Sequence, residues 1–317
     1  MAEFLIMLKN VLIFIALALP AYLLARKNAL KGEDCGVLSQ VLVYVGVPFM
    51  VFCSALDATL TRQTALDFLL VGLLTAGGQL GCCLLTNLLP GLDPDPQQKS
   101  VMRFSMTYGN NGFLGLPLVS ALFADSLPIA VAYFSIVSIV TNLLILPVGE
   151  HLIGKAKTTF SLKSLLTNPI LIAFLLGIAA NLLKLNETFP EAVTYATYLK
   201  NMVTPVSMCI IGIKFGQMRV GHLFCDKRLY YVAFVRLVLF PALVAAILLV
   251  ARLVVPIADP LILALFIGFA MPTATFAATL AVQYDVPGNG STIYVLGTTL
   301  FSVITLPVLY ALFQLIL

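Results

Sequence analysis

The chain has 317 residues, of which 61% are hydrophobic and only 10% charged, and its formal net charge is +4. A soluble domain carries roughly 25% charged residues, and no soluble fold of this length has interior enough to hide so much apolar surface. Lipid must be the solvent for most of it, and a small positive charge spread along loops, with no dense basic tract, excludes nucleic acid as an expected partner.

A bilayer core needs about 20 predominantly apolar residues in helix. The first such run, Phe4 to Leu24, lacks a charged leader and is long enough to span, so it reads as a transmembrane helix rather than a signal peptide. Ten spans follow in chain order: 4–25, 36–56, 65–89, 100–123, 127–150, 166–184, 192–214, 228–253, 259–283 and 289–316. The short connections leave no room for a soluble domain. Trp is absent, and the 11 Tyr take part of its interfacial role.

Lys and Arg then set the orientation. Loops after odd-numbered spans hold Arg26, Lys27, Lys31, Lys99, Arg103, Lys155, Lys157, Lys163, Lys214, Arg219, Lys227 and Arg228. The other face holds only Lys9, Arg62, Lys184, Lys200 and Arg252. Positive charge stays cytoplasmic, so both termini are expected outside the cytoplasm of a cell-membrane protein.

The basic stretch around Lys155 to Lys163 divides the chain into 1–157 and 158–317, with five spans on each side. Five is odd, so the second half enters the membrane from the opposite face, as in transporters built from inverted repeats. Pro48 in span 2 answers Pro205 in span 7, and Pro147 in span 5 answers Pro307 in span 10. Tyr133 and Tyr294 precede the latter pair by similar intervals, and Asn142 and Ser302 fall five residues before them.

Spans 4 and 9 hold equivalent places in the two halves, and both contain helix-breaking sequence at mid-span. Span 4 reads Tyr108-Gly109-Asn110-Asn111-Gly112-Phe113-Leu114-Gly115-Leu116-Pro117, and span 9 reads Ala270-Met271-Pro272-Thr273-Ala274-Thr275. Gly and Pro interrupt the backbone ladder, and Asn competes for its own backbone. A freed backbone group in hydrocarbon costs several kcal/mol, so such breaks persist only beside protein or a watery cavity. Matching breaks in the two halves point to a transport site. Each second half-helix would aim its N-terminus inward with about half a positive charge, which favours an anion. Asn110, Asn111, Gly112, Pro272, Thr273 and Thr275 are the expected substrate-binding residues there. The carbonyl ends of the first half-helices could hold a cation or a water.

Taken in order along the chain, the motifs resemble the auxin efflux carrier family, which includes plant PIN-formed auxin exporters and bacterial malonate-type carriers. They are Asn110 followed by Gly115-Leu116-Pro117-Leu118, then Asn168-Pro169 opening span 6, then Arg236 with Pro241-Ala242, and Ala270-Met271-Pro272 through Tyr284-Asp285-Val286. The resemblance covers the whole chain. It implies an all-α fold of two inverted five-helix repeats with spans 4 and 9 crossing. It also implies a scaffold of spans 1, 2, 6 and 7 against which the rest moves like an elevator, and it makes a homodimer plausible. By position, Asn110 and Pro272 mark the crossover, with Gly109, Gly115, Pro117, Pro48, Pro205 and Arg236 as structural residues around it. Plant exporters place a proline where Gly109 stands, and many have a long loop between spans 5 and 6 that is missing here, so auxin itself is not the expected substrate.

Further candidates follow from placement. Arg236 lies about nine residues into span 8, where an ionisable group either serves function or bonds free carbonyls and snorkels. Ser138 and Asn142 stand one turn apart and could line the crossover, as could Asn201 in span 7. Arg103 either steers anions or anchors the helix end, and Glu150 and His151 read as a solvated helix end. No carboxylate falls mid-span in 4 or 9, which weakens a sodium site built from acidic side chains and leaves amide and carbonyl oxygens open to that role. The six Cys show no ligand spacing and read as small hydrophobes. His151 and His222 are the only histidines, and no Ser-His-Asp set, phosphate loop or metal motif is present, so neither an enzyme nor a cofactor is expected. The expected function is transport of a small mono- or dicarboxylate. The alternatives are a sodium-coupled symporter of bile-acid-transporter type and a membrane protein that senses a ligand without carrying it.

Overall fold

The computed structural model describes residues 2–32, 34–123, 127–149, 152, 166–217 and 223–317. The basic stretch with Lys155, Lys157 and Lys163, the boundary at 157/158, and Glu150, His151, Arg219 and His222 lie outside the described residues. The described chain is all-helical, with no strand beyond one isolated bridge between Gly109 and Thr273.

The helices are α1 (Ala2–Arg26), α2 (Asp34–Leu56), α3 (Arg62–Leu88), α4 (Pro96–Thr107), α5 (Asn111–Phe123), α6 (Pro128–Leu144), α7 (Pro169–Leu182), α8 (Pro190–Asn201), α9 (Val203–Gln217), α10 (Lys227–Val254), α11 (Asp259–Ala270), α12 (Phe276–Gln283) and α13 (Gly290–Gln314). Spans 4 and 9 are each shared by two helices with a gap between, α4 and α5, then α11 and α12. Span 7 is also two helices, α8 and α9, meeting at Met202. Five helices among the described residues are long and apolar enough to cross a membrane, and four shorter ones are strongly apolar.

Helix α3 shows which solvent surrounds the bundle. Its buried face carries Asp67, Thr75, Gln79 and Thr86 about one or two turns apart, while Leu66, Leu69, Leu73, Leu84 and Leu88 are exposed. A helix in water does the reverse. Polar side chains turn inward and find partners because hydrocarbon offers none: Asp67 accepts from Tyr133 Oη at 2.8 Å and Gln63 Nε2 at 2.9 Å, and Gln79 Nε2 reaches Thr141 Oγ1 at 3.5 Å.

The helices pack in two groups. In one, α1 lies along α9, and α2 packs on α7, α8 and α9. Small residues let these backbones approach. A Cβ on Gly212 would run into the backbone of Ala18, one on Gly216 would sit 2.6 Å from Ala25 Cβ, and one on Gly177 would sit 2.5 Å from the Phe52 carbonyl. Asn181 of α7 then donates to the carbonyls of Leu56 (2.5 Å) and Ala58 (2.7 Å), closing the end of α2. The second group comprises α3, α4, α5, α6, α10, α11, α12 and α13, and it meets the first mainly where α13 and α5 touch α1 and where α6 touches α2.

At one end of the second group, Arg228 joins Asp226 (2.9 Å) to Asp93, and Gln98 donates to the Pro287 carbonyl. Three connections distant in sequence are thereby tied together. Burial alone would raise the carboxyl of Asp226, yet hydrogen bonds from the Arg228 side chain and backbone outweigh it and hold the group below its ordinary value.

Four π-helical turns occur among the described residues: Leu42–Gly46 and Val235–Leu239 lie within α2 and α10, Asn111–Gly115 opens α5, and Ile145–Gly149 follows α6. Three of them run just ahead of Pro48, Pro117 and Pro241. A proline lacks the amide that would bond four residues back and crowds that carbonyl, so a widened turn in front of it relieves the clash.

Candidate functional site

Helix α4 stops at Thr107 because Gly109 and Asn110 follow, and α11 stops at Ala270 because Pro272 cannot continue it. The two gaps pair with each other. Asn110 N donates to the Pro272 carbonyl at 2.7 Å, and Ala274 N donates to the Tyr108 carbonyl at 2.9 Å, forming the antiparallel bridge of Gly109 with Thr273.

Every carbonyl in the last turn of α4 has a donor. Phe104 O accepts from Tyr108 N at 3.0 Å, and Ser105 O accepts from Thr273 Oγ1 at 2.8 Å. Thr107 O and Met106 O accept from Arg236 Nη1 at 2.9 and 3.5 Å. The same guanidinium serves the end of α11, with Nε on Met271 O at 2.8 Å and Nη2 on Gly268 O at 3.4 Å. Arg236 is 0% exposed and sits on the π turn Val235–Leu239. Its guanidinium lies where a Cβ at position 109 would be, which is why that position is glycine. Of the two roles open to Arg236 in the sequence, the structure displays the bonding of free carbonyls.

The second break is satisfied from within. Thr273 is wholly buried, its hydroxyl donates to Ser105 O, and its amide donates to Thr298 Oγ1 at 3.0 Å. The first break is different. Asn110 caps α5 through Oδ1 to Phe113 N at 3.3 Å, while its Nδ2 is buried with no partner. Asn111 Nδ2 donates to Thr141 Oγ1 at 3.0 Å, and its Oδ1 is likewise buried without one.

A cavity of about 370 Å³ opens at these two asparagines. The first break contributes Gly109 through Phe113, α6 contributes Asn142, and α12 contributes Phe276 with Ala274 before it. Its far wall belongs to the other helix group, with Tyr44 from the π turn of α2 and Asn168-Pro169 from the start of α7. Asn168 Oδ1 caps α7 through Ile170 N (2.9 Å) and Leu171 N (3.2 Å). The N-termini of α5, α7 and α12 thus all reach the cavity, and each contributes positive potential there. A second cavity of about 270 Å³, between α1, α9, α5 and α13, has almost wholly apolar walls and offers no comparable donors.

The structure therefore brings Asn110, Asn111, Gly112 and Asn142 to one cavity. Ser138 stands behind it, buried, with Asn142 Nδ2 2.9 Å from its carbonyl. Gly115 and Pro117 are buried in α5, and Pro48 is buried in α2. Pro272, Thr273 and Thr275 are buried at the second break and do not line the cavity. Asn201 is exposed at the end of α8 and Pro205 is exposed in the first turn of α9, so neither reaches it. Tyr44, Asn168 and Phe276 line the cavity without being among the site residues expected from the sequence. Asn168-Pro169 is visible in the sequence as a motif that opens span 6, but nothing in the sequence tells which helix ends meet.

A lipid-facing bundle whose interior holds a cavity with polar side chains between two helix groups is the architecture of a multi-pass membrane protein. The chain belongs to the membrane transport protein family, the auxin efflux carrier family, whose model matches residues 6–160 and 155–310. It is 27% identical over 304 residues to an uncharacterized transporter of Methanothermobacter thermautotrophicus, covering 94% of this chain and 96% of that protein. It is 24% identical over 304 residues to a protein of Rhizobium meliloti provisionally named a malonate transporter, covering 93% and 92%.

Proposed function

We propose that the chain is a secondary carrier of a small organic anion, a monocarboxylate or dicarboxylate, held in the cavity beside Asn110. One observation carries this reading: Asn110 and Asn111 line a cavity reached by three helix N-termini, and each keeps a buried amide atom, Nδ2 and Oδ1, with no partner among the described residues. A carboxylate suits the free Nδ2 donor and the helix dipoles, and a substrate hydroxyl or protonated carboxyl suits the free acceptor. The provisional name of the Rhizobium relative lies in the same substrate class.

The mechanism we propose is elevator-type alternating access on two inverted five-helix repeats, 1–157 and 158–317, with spans 4 and 9 crossing at Asn110 and Pro272. Two observations support it: α1, α2, α7, α8 and α9 pack as one group, and the cavity lies between that group and the rest. In this reading both termini are non-cytoplasmic in the plasma membrane, and the protein works as a homodimer. The reading as a sodium-coupled symporter has less support, because Arg236 occupies the carbonyl ends that a cation would need.

The test is flux of labelled malonate and a panel of small carboxylates in proteoliposomes. Flux is expected for at least one of them and falls at least about tenfold in Asn110→Ala. Binding without flux would favour a ligand sensor, and unchanged flux in the variant would move the substrate away from this cavity.

A further inference from the structure

We infer that Arg236 is a built-in cation, whose guanidinium fills a carbonyl-lined site between the ends of α4 and α11 and lets the two breaks lock together without a bound ion. The inference rests on the proposal that these breaks frame the transport site.

Among the described residues the Arg236 side chain makes four hydrogen bonds, all to backbone carbonyls, those of Met271, Thr107, Met106 and Gly268, at 2.8 to 3.5 Å. None goes to a carboxylate, although the residue is 0% exposed. A buried charge without a counter-charge is prohibitive in an apolar interior. Here the compensation comes from two helix C-termini, each worth about half a negative charge, so two of them balance one guanidinium. Carbonyl oxygens converging from interrupted helices are the ligand set by which membrane proteins hold alkali cations. A planar guanidinium meets the same set with donors in several directions.

Two further features prepare the place. The π turn Val235–Leu239 carries Arg236, and a widened turn re-aims the side chains that it carries. Gly109 leaves the volume that the guanidinium occupies, since any larger residue there would displace it. The breaks come from spans 4 and 9 and the cation from span 8, so three segments must agree for the site to close.

Two consequences follow. Flux should not require sodium, because the position is already filled by a charge that the chain supplies. Deleting the guanidinium should leave a vacant carbonyl site that takes a free cation, and guanidinium fits it by shape.

The experiment compares wild type with Arg236→Ala, Arg236→Lys and Arg236→Met in proteoliposomes and by thermal unfolding, in choline, sodium and low-millimolar guanidinium media. Wild-type flux is expected to stay within about twofold between choline and sodium. Arg236→Ala should lose about tenfold or more in choline, a change of about 1.4 kcal/mol or more. It should regain flux with guanidinium, and its unfolding midpoint should rise with guanidinium where that of wild type does not. Arg236→Lys should retain flux with no response to added cation.

Wild-type flux that collapses in choline overturns the inference. So does Arg236→Ala that matches wild type in choline, or that responds to no cation in flux or stability. If Arg236→Ala cannot be recovered folded, the lysine and methionine variants decide, since they fill similar space and differ in charge. Retained flux in lysine alone supports the inference, and equal flux in both overturns it. If wild type carries no carboxylate at all, the proposed function fails, and the guanidinium-dependent stability of Arg236→Ala still tests the cation site by itself.

Discussion

The two helix breaks look alike in sequence and differ in what they leave free. At the second, around Pro272 and Thr273, each polar group with a described bond is engaged internally: the Pro272 carbonyl by Asn110 N, the Thr273 hydroxyl by Ser105 O, and the Thr273 amide by Thr298. At the first, Asn110 and Asn111 each keep one amide atom buried and unengaged beside a cavity. Proline explains part of the contrast. It ends α11 rigidly with no amide to satisfy, whereas Gly-Asn-Asn-Gly ends α4 softly and brings two bifunctional side chains. In the proposed reading one break is the clamp and the other is the binding surface.

The largest effect that separates them is expected from Asn110→Asp. Aspartate keeps an oxygen to cap Phe113 N, so α5 should retain its start. It replaces the free donor with a negative charge, and two like charges a few ångströms apart repel by about 4 kcal/mol at an effective dielectric of 20. Anion flux per folded molecule should fall on the order of 100-fold, allowing for screening. Normal flux in Asn110→Asp would show that the substrate does not meet this side chain as an anion.

The clamp should respond in the opposite way. Thr273→Val conserves shape and removes the hydroxyl that serves Ser105 O, leaving a last-turn carbonyl of α4 without its donor. Leaving a buried acceptor unmade costs about 1–3 kcal/mol. Thermal unfolding of the purified protein should register that loss, and flux per folded molecule should stay within about threefold. A variant that loses flux without losing stability would place Thr273 on the substrate's path and erase the distinction.

Much of this arrangement is legible in the sequence. Most apolar runs of bilayer length coincide with helices, although span 7 is divided between α8 and α9, and the gaps between α4 and α5 and between α11 and α12 fall on Gly109-Asn110 and Pro272-Thr273, since Gly and Pro act locally. What a helix faces is harder to read. Asn201 lies within span 7 and Asn168 near the start of span 6, yet the first is exposed and the second lines the cavity. In a bilayer bundle both faces of a helix can be apolar, so periodicity does not fix azimuth. Arg236 shows the same limit. Its depth in span 8 is visible, but the π turn that rotates it toward four carbonyls is set by packing ahead of Pro241.

The smallest effect tests whether the second helix group is one body, as the contrast between clamp and binding surface assumes. Arg228 ties Asp226, the cap of α10, to Asp93 in the connection after α3. The Asp226 carboxyl lies below its unfolded value, so it binds protons less readily when folded. Its contribution is complete above the unfolded pKa of about 3.9 and is lost as pH falls through the lower folded value. Asp226→Asn should therefore lower the unfolding midpoint at pH 7 by the equivalent of about 0.5–1 kcal/mol, a partly exposed pair being worth no more. Asparagine still caps the helix, so the remaining difference reports the charge. That difference should shrink as pH drops below about 4, where the wild-type carboxyl protonates. A gap that persists undiminished at acid pH would mean that Asp226 holds these connections through shape and neutral hydrogen bonds, and the ion pair would have no part in binding them.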